Sequence, residues 1–133
     1  MNLGFIGTGK ITSSVIKGIY KSNISYEKII ISSRNKLISK NLKKRFKKIS
    51  IEENNQKIID KCDWIFLGVT PLVGDKIIKN LRFKKNQTVI SFISTITLNQ
   101  LKKAIKVKAK IVRAIPLPPI SLKKGPVPIC PPN

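Results

Sequence analysis

The stretch that decides the fold is residues 4–19, which read Gly-Phe-Ile-Gly-Thr-Gly-Lys-Ile-Thr-Ser-Ser-Val-Ile-Lys-Gly-Ile. Asn2 to Ile6 is predicted to form a buried strand. Apolar residues then recur at helical spacing on one face, and these are Ile11, Val15, Ile16 and Ile19. A glycine-rich turn between a strand and a helix is typical of dinucleotide-binding domains.

Each small residue of this turn has an expected role. Gly7 allows a tight bend, Gly9 lets the backbone approach a pyrophosphate, and Thr12 permits close packing of the helix on the strand. The N–H groups at the start of the helix would then face the phosphates. Because short glycine motifs also occur in purely structural turns, that alternative stays open, but the strand and helix on either side favour a nucleotide.

Length and composition limit the possible classes of protein. The chain has 133 residues, 41% of them hydrophobic, which predicts one globular domain. Two cysteines and no histidine exclude a disulfide framework and a histidine general base, and no metal site is expected. We expect a reduced, cytoplasmic setting and no membrane segment, since no apolar run approaches the length needed to span a bilayer.

The formal net charge of +21 would ordinarily indicate nucleic acid. Only four of the 27 basic residues are arginines, and the lysines are spread over every predicted helix and loop. We therefore attribute the charge to amino-acid composition and do not expect nucleic acid as a partner. A basic polyanion-binding protein is kept as an alternative function.

Five further strands are predicted after the first, namely Lys28–Ser32, Ile49–Ile51, Trp64–Val69, Thr88–Ile93 and Lys110–Ile115. Helices lie between them, including a lysine-coated helix over residues 36–46 that is expected to be anchored by Leu37, Leu42 and Phe46. This alternation predicts an α/β fold with a doubly wound, Rossmann-like parallel sheet. The proline-rich residues 115–119 and 125–132 near the end of the chain are expected to be extended and non-helical, with any strand confined to an edge.

The second strand ends in a turn without an acidic residue. In NAD-binding domains an Asp or Glu there accepts hydrogen bonds from the ribose hydroxyls, whereas this chain has Ser32, Ser33, Arg34 and Asn35. A hydroxyl and a guanidinium can bind a 2′-phosphate, so NADP(H) is favoured over NAD(H). The alternative is an ordinary polar turn before a helix.

Two more loops lie where ligands bind in open α/β sheets. Val69-Thr70-Pro71 follows the fourth strand and Ile93-Ser94-Thr95 follows the fifth, both at the carboxyl ends. Ordinary loop chemistry would explain the same residues. We interpret them as candidate ligand contacts.

Taken together, these motifs resemble the pyrroline-5-carboxylate reductase family and its near relatives, the deazaflavin-dependent NADP oxidoreductases. The similarity covers nearly the whole chain. The matching segments are Gly4 to Gly9, Ser32 to Asn35, Cys62 to Pro71, and Val112 to Pro116 followed by Gly125.

The resemblance implies an NAD(P)-dependent oxidoreductase of proline biosynthesis that transfers a hydride to a cyclic imine. It implies cofactor contacts at matching positions, with no catalytic residue assigned. The pyrophosphate would contact Ile6, Gly7, Thr8, Gly9, Lys10 and Ile11. The 2′-phosphate turn comprises Ser33, Arg34 and Asn35, and Asn55 would contact the adenosine. The nicotinamide side would be lined by Val69, Thr70, Pro71, Ile93 and Ser94.

Three departures from the family pattern bear on the activity. Pro116-Leu117-Pro118-Pro119 replaces the usual Pro-Asn-Thr-Pro, and Thr70 and Thr95 replace the usual lysine and glycine. The family's helical C-terminal domain is absent from residues 1–133. We therefore expect one truncated NAD(P)-binding domain that is incomplete as an enzyme alone, with a small-molecule substrate and a helical-domain partner or dimer mate. A non-enzymatic nucleotide-sensing module is the other alternative.

Overall fold

The computed structural model of the protein describes residues 1–125 and 127–130. One sheet of seven strands runs through this part of the chain. Its strands are β1 (Asn2–Ile6), β2 (Lys28–Ser32), β3 (Ile49–Glu52), β4 (Trp64–Leu67), β5 (Thr88–Ser91), β6 (Lys110–Ala114) and β7 (Ile129–Cys130). They lie in the order β3-β2-β1-β4-β5-β6-β7, with β1 to β6 parallel and β7 antiparallel to β6. The predicted doubly wound parallel sheet is confirmed.

Helices connect the parallel strands. They are α1 (Lys10–Lys21), α2 (Lys36–Arg45), α3 (Asn55–Lys61), α4 (Pro71–Asn80) and α5 (Leu98–Ile105), and a 3-10 helix follows at Pro118–Leu122. None of the helices in residues 1–125 and 127–130 is long and apolar enough to cross a membrane.

Local sequence signals mark the starts of the three later helices. The side chain of Asn54 accepts hydrogen bonds from the backbone N–H groups of the first turn of α3. Pro71 opens α4, where its missing N–H costs nothing. Thr97 and Gln100 form a reciprocal capping box at the start of α5.

The core has two parts, one on each face of the sheet. On one face α3, α4 and α5 contribute buried side chains that include Ile59, Ile78 and Leu101. On the other face α1, α2 and the 3-10 helix pack over Phe5 and Phe66. The rings of these two residues are stacked, with centroids 4.4 Å apart. Both faces are therefore covered, which explains the continuous apolar runs of the central strands.

The C-terminal segment differs in one respect from the sequence expectation. A 3-10 helix spans Pro118–Leu122, so the prediction that residues 115–119 are not helical was wrong at Pro118 and Pro119. Of the second proline-rich segment, residues 126, 131 and 132 lie outside the described part of the chain. Two successive prolines fit the first turn of such a helix because no N–H is required there. β7 was correctly restricted to the edge of the sheet.

Candidate cofactor-binding site

The glycine turn after β1 contains two glycines with different reasons to be glycine. Gly7 has φ +96°, and a Cβ there would lie 2.5 Å from the carbonyl oxygen of Gly68. The fold itself therefore requires Gly7. Gly9 has an ordinary backbone conformation, and a Cβ there would meet nothing within 4 Å. The open space in front of Gly9 is the room that a ligand backbone would need, which fits a dinucleotide pyrophosphate.

The start of α1 is open to an anion. Gly9 is its N-cap residue and offers no side chain to its N–H groups. No acidic residue lies in the first turn, and Lys10 is exposed there. Uncapped N–H groups and the helix dipole favour a negatively charged ligand at this position.

The turn after β1 is tied to the end of β2 by a buried network of hydroxyl groups. The backbone N–H of Gly7 donates to Ser32 Oγ at 2.8 Å. Ser39 Oγ, from α2, donates to the Ser32 carbonyl at 2.8 Å and lies 3.2 Å from Thr8 Oγ1. The Thr8 hydroxyl thus faces the protein interior, so Thr8 can offer a ligand its backbone only.

Close packing of α1 against the end of β4 places the two glycine-containing loops side by side. Thr12 is buried, and a Cβ at Gly68 would lie 2.3 Å from its Oγ1. The predicted role of Thr12 in close packing is confirmed. Gly68 was not singled out from the sequence, although its position directly after a buried strand marks a close approach.

These loops enclose a central cleft of about 540 Å³ at the carboxyl ends of β1, β2 and β4. The location is the one where open α/β sheets bind ligands, because β1 and β4 diverge there to opposite helices. The central cleft is lined by Gly7, Thr8, Gly9, Arg34, Asn35, Lys36, Gly68, Val69, Thr70 and Val73.

Two smaller clefts adjoin the central one, and Val69 lines all three. The β3-side cleft, about 190 Å³, is lined by Ile6, Gly7, Ser32, Ser33, Arg34, Glu53, Asn55, Val69 and Ile77. The β5-side cleft, about 390 Å³, is lined by Gly9, Lys10, Ile11, Thr12, Gly68, Val69, Thr70, Phe92, Ser94, Ile115 and Pro116. Together the three clefts form a row along the carboxyl ends of the strands, from β3 to β5.

Most residues predicted for the site line one of these clefts. They are Ile6, Gly7, Thr8, Gly9, Lys10, Ile11, Ser33, Arg34, Asn35, Asn55, Val69, Thr70 and Ser94. Two predicted residues stand apart. The Ile93 side chain is buried in the core, and its Cδ1 would lie 2.8 Å from a Cβ added at Gly74. Pro71 lines a separate cavity between α4 and α5.

Asn35 has a structural task as well as a place in the central cleft. Its Oδ1 accepts a hydrogen bond from the Ile38 N–H at 3.1 Å and caps α2.

The clefts are also lined by residues that were not predicted from the sequence, among them Lys36, Glu53 and Phe92. Lys36 could have been predicted, because it directly follows the turn after β2 in the sequence.

Charge is distributed unevenly around the clefts. Arg34 and Lys36 supply positive charge at the β2 loop. Glu52 turns away to Lys61, with Oε1 and Nζ 3.4 Å apart. A hydrogen bond from the Asn54 backbone N–H, and then Lys61, lower the pKa of the Glu52 carboxyl. The described residues contain no group of three or more His, Cys, Asp or Glu side chains that could hold a metal ion.

Comparison with known proteins agrees with this architecture. Pyrroline-5-carboxylate reductase of Escherichia coli is 27% identical over 128 residues, covering 92% of this chain and 46% of the relative. The structure of the Streptococcus pyogenes 1-pyrroline-5-carboxylate reductase is 30% identical with a TM-score of 0.73, covering 87% of this chain and 42% of that one. The chain spans about half the length of the curated relatives it matches.

A third comparison supports the fold alone. The Plasmodium falciparum pyrroline carboxylate reductase, solved with NADP bound, is 22% identical and has a TM-score of 0.83, covering 98% of this chain and 48% of that one.

The family model described as "NADP oxidoreductase coenzyme F420-dependent" matches residues 2–95. This match covers more than half of the chain and includes the glycine turn, the β2 loop and the end of β4, so the chain belongs to the family that this model describes.

Proposed function

We propose that this chain is the NADP(H)-binding part of a cytoplasmic, pyrroline-5-carboxylate-reductase-like oxidoreductase of proline biosynthesis. In the complete enzyme a hydride would pass from NADPH to a cyclic imine or a related small molecule. The similarity to pyrroline-5-carboxylate reductases and the row of clefts support this proposal.

The single observation that carries the proposal is the combination at Gly9. The fold leaves the position of its Cβ empty, and the uncapped start of α1 lies directly beside it. A structural turn has no need of that empty space, whereas a pyrophosphate requires both the close approach and the N–H groups.

The two outer clefts suit the two ends of the cofactor. The β3-side cleft would take the adenosine, with Asn55 beside it and Ser33 and Arg34 at the 2′-phosphate. The guanidinium can donate two parallel hydrogen bonds to a phosphate, so NADPH is preferred over NADH in this proposal. Lys36, in the adjoining central cleft, adds positive charge.

The β5-side cleft would take the nicotinamide, which supplies the hydride when bound. Thr70 and Ser94 provide hydroxyl groups there, and Pro116 forms part of the wall. The protein's contribution is to orient the ring and to exclude water.

Reduction of an imine also needs a proton, and the β5-side cleft offers few groups to hold one. Lys10 is the only ionisable side chain among the described residues that line it. We therefore assign the proton donor and most of the substrate contacts to a helical segment, supplied by a partner domain or a dimer mate. Alone, the chain would bind the cofactor and turn over slowly or not at all.

A titration with NADPH and NADH, followed by nicotinamide fluorescence at low and moderate salt, tests the proposal. The expected result is saturable binding of NADPH, tighter than NADH and retained at moderate salt. A Gly9→Val variant is the control, because it fills the open space and should bind neither cofactor. Binding of neither by the unaltered chain would contradict the proposal.

The same preparation separates the proposed oxidoreductase from a nucleotide-sensing module. Pyrroline-5-carboxylate and NADPH should react when the helical half of a related reductase is added, and the rate should depend on Gly9. Cofactor binding without any turnover in that mixture would favour the sensing module.

A further inference from the structure

Glu53 brings a negative charge to the β3-side cleft, although the turn after β2 that lines the same cleft has no acidic residue. Among the described residues it is the one carboxylate that lines the three clefts, and it lies in the β3-side cleft with Ser33 and Arg34. The sheet explains this placement. Ser32 and Glu52 are paired in the parallel register of β2 and β3, so Ser33 and Glu53 follow them at the same edge.

The two neighbouring glutamates at the end of β3 have different surroundings. Glu52 binds Lys61 and accepts a hydrogen bond from the Asn54 N–H, so its charge is already compensated. The exposed Glu53 carboxylate takes part in no salt bridge within residues 1–125 and 127–130. A residue whose carboxylate has no ion-pair partner among the described residues therefore lines the same cleft as Arg34.

We propose that Glu53 is a specificity-determining residue that opposes Arg34 in the choice between NADPH and NADH. A 2′-phosphate carries close to two negative charges at neutral pH, so Glu53 repels it while Arg34 attracts it. The adenosine ribose of NADH has a hydroxyl at the same position, and an ionised carboxylate can accept a hydrogen bond from it. The ratio of the affinity for NADPH to the affinity for NADH is therefore smaller than Arg34 alone would produce.

This inference rests on the proposed function, since it assumes that the β3-side cleft holds the adenosine. Its test compares Glu53→Gln with the unaltered chain by fluorescence titration of both cofactors. Removing the charge should raise the affinity for NADPH about threefold to tenfold, as expected for one unit charge at the protein surface. The affinity for NADH should stay equal or fall, and the gain for NADPH should shrink as salt rises.

Glu27→Gln is the matched control. Glu27 is exposed, carries the same charge and precedes β2. It therefore lies at the amino ends of the parallel strands, whereas Glu53 lies at their carboxyl ends. It should leave the ratio of the two affinities unchanged. Circular dichroism of both variants would verify that the fold is intact.

The outcomes separate the two proposals. A higher NADPH-to-NADH affinity ratio for Glu53→Gln alone supports the inference. An unchanged ratio, or an equal change in both glutamine variants, overturns it while leaving the cofactor site in place. If the unaltered chain binds neither cofactor, the proposed function fails, and the role of Glu53 fails with it.

Discussion

The backbone N–H of Gly7 donates a hydrogen bond of 2.8 Å to the side-chain oxygen of Ser32, and both residues are buried. This bond joins the turn after β1 to the end of β2, two segments that are 25 residues apart in the chain. Gly7 has a positive φ, which glycine adopts without strain, and the bond to the serine holds the turn in this conformation. The turn and the β2 loop are therefore joined into one wall of the central cleft.

Ser32→Ala should destabilise the protein and loosen that wall. The substitution leaves the buried Gly7 N–H without a partner, which costs about 1–3 kcal/mol. Urea unfolding would measure the loss in the free energy of unfolding. Ser33→Ala serves as the control, since Ser33 is only partly buried and its loss should change stability by less than about 0.5 kcal/mol. Equal effects of the two variants would contradict the role given to Ser32.

Valine substitutions at the two turn glycines should separate folding from binding. Gly9→Val places atoms in open space, so stability should fall by about 1 kcal/mol or less, from the weaker N-cap, while binding of both nucleotides is lost. Gly7→Val forces a β-branched residue into φ +96° and against Gly68, costing about 2 kcal/mol or more. Thermal unfolding and cofactor titration of both variants check this difference. A Gly9→Val protein that still bound NADPH would show that the pyrophosphate does not lie there.

Arg34→Ala should weaken NADPH binding by about 1–3 kcal/mol, the range for a lost hydrogen bond to a charged group, and leave NADH binding nearly unchanged. Fluorescence titration gives both values. Arg82→Ala is the matched control because the exposed Arg82 lines none of the three clefts, and the substitution keeps the backbone groups that bond to Gln56. Equal losses for the two cofactors would remove the 2′-phosphate from Arg34.

The parallel strands and their helices could be predicted from the sequence because their signals are local. Buried apolar runs mark the strands, and Asn54, Pro71 and the Thr97 capping box mark helix starts. Burial of single side chains could not be predicted equally well. Leu37 was expected to anchor α2 but is 72% exposed, because α2 turns its opposite face to the sheet through Leu42.

The part of the site that escaped prediction depends on contacts between distant segments. Glu53 reaches the β3-side cleft only through the pairing of β2 with β3, and no local pattern reports which strands are neighbours. Ser39 likewise joins the buried hydroxyl network from the second turn of a helix whose sequence reads as polar surface. The glycine turn was predictable because its spacing alone carries the geometry.

Stability should fall at alkaline pH through Cys62. Burial, and then the neighbouring Asp63 carboxylate, raise the pKa of the Cys62 thiol to about 11 from an ordinary value of 9.0. The folded state thus favours the neutral thiol, so this contribution is complete below about pH 9 and is lost as the pH rises to 11. Its full size is about 2–3 kcal/mol. Comparing unfolding of the unaltered chain and Cys62→Ala at pH 8 and pH 11 isolates it, and a constant difference between the two would contradict it.

Gly18→Ala should destabilise the protein although it replaces a glycine in the middle of a helix. In an exposed helix this change adds about 1 kcal/mol of stability. Here the new Cβ would lie 2.3 Å from the carbonyl oxygen of Ile120, so α1 and the 3-10 helix would be pushed apart. Chemical unfolding should show a loss of about 1–3 kcal/mol, the usual cost of overpacking. In a chain shortened to end at residue 115, the same substitution should become stabilising, and an unchanged sign there would mean that Ile120 is not what opposes it.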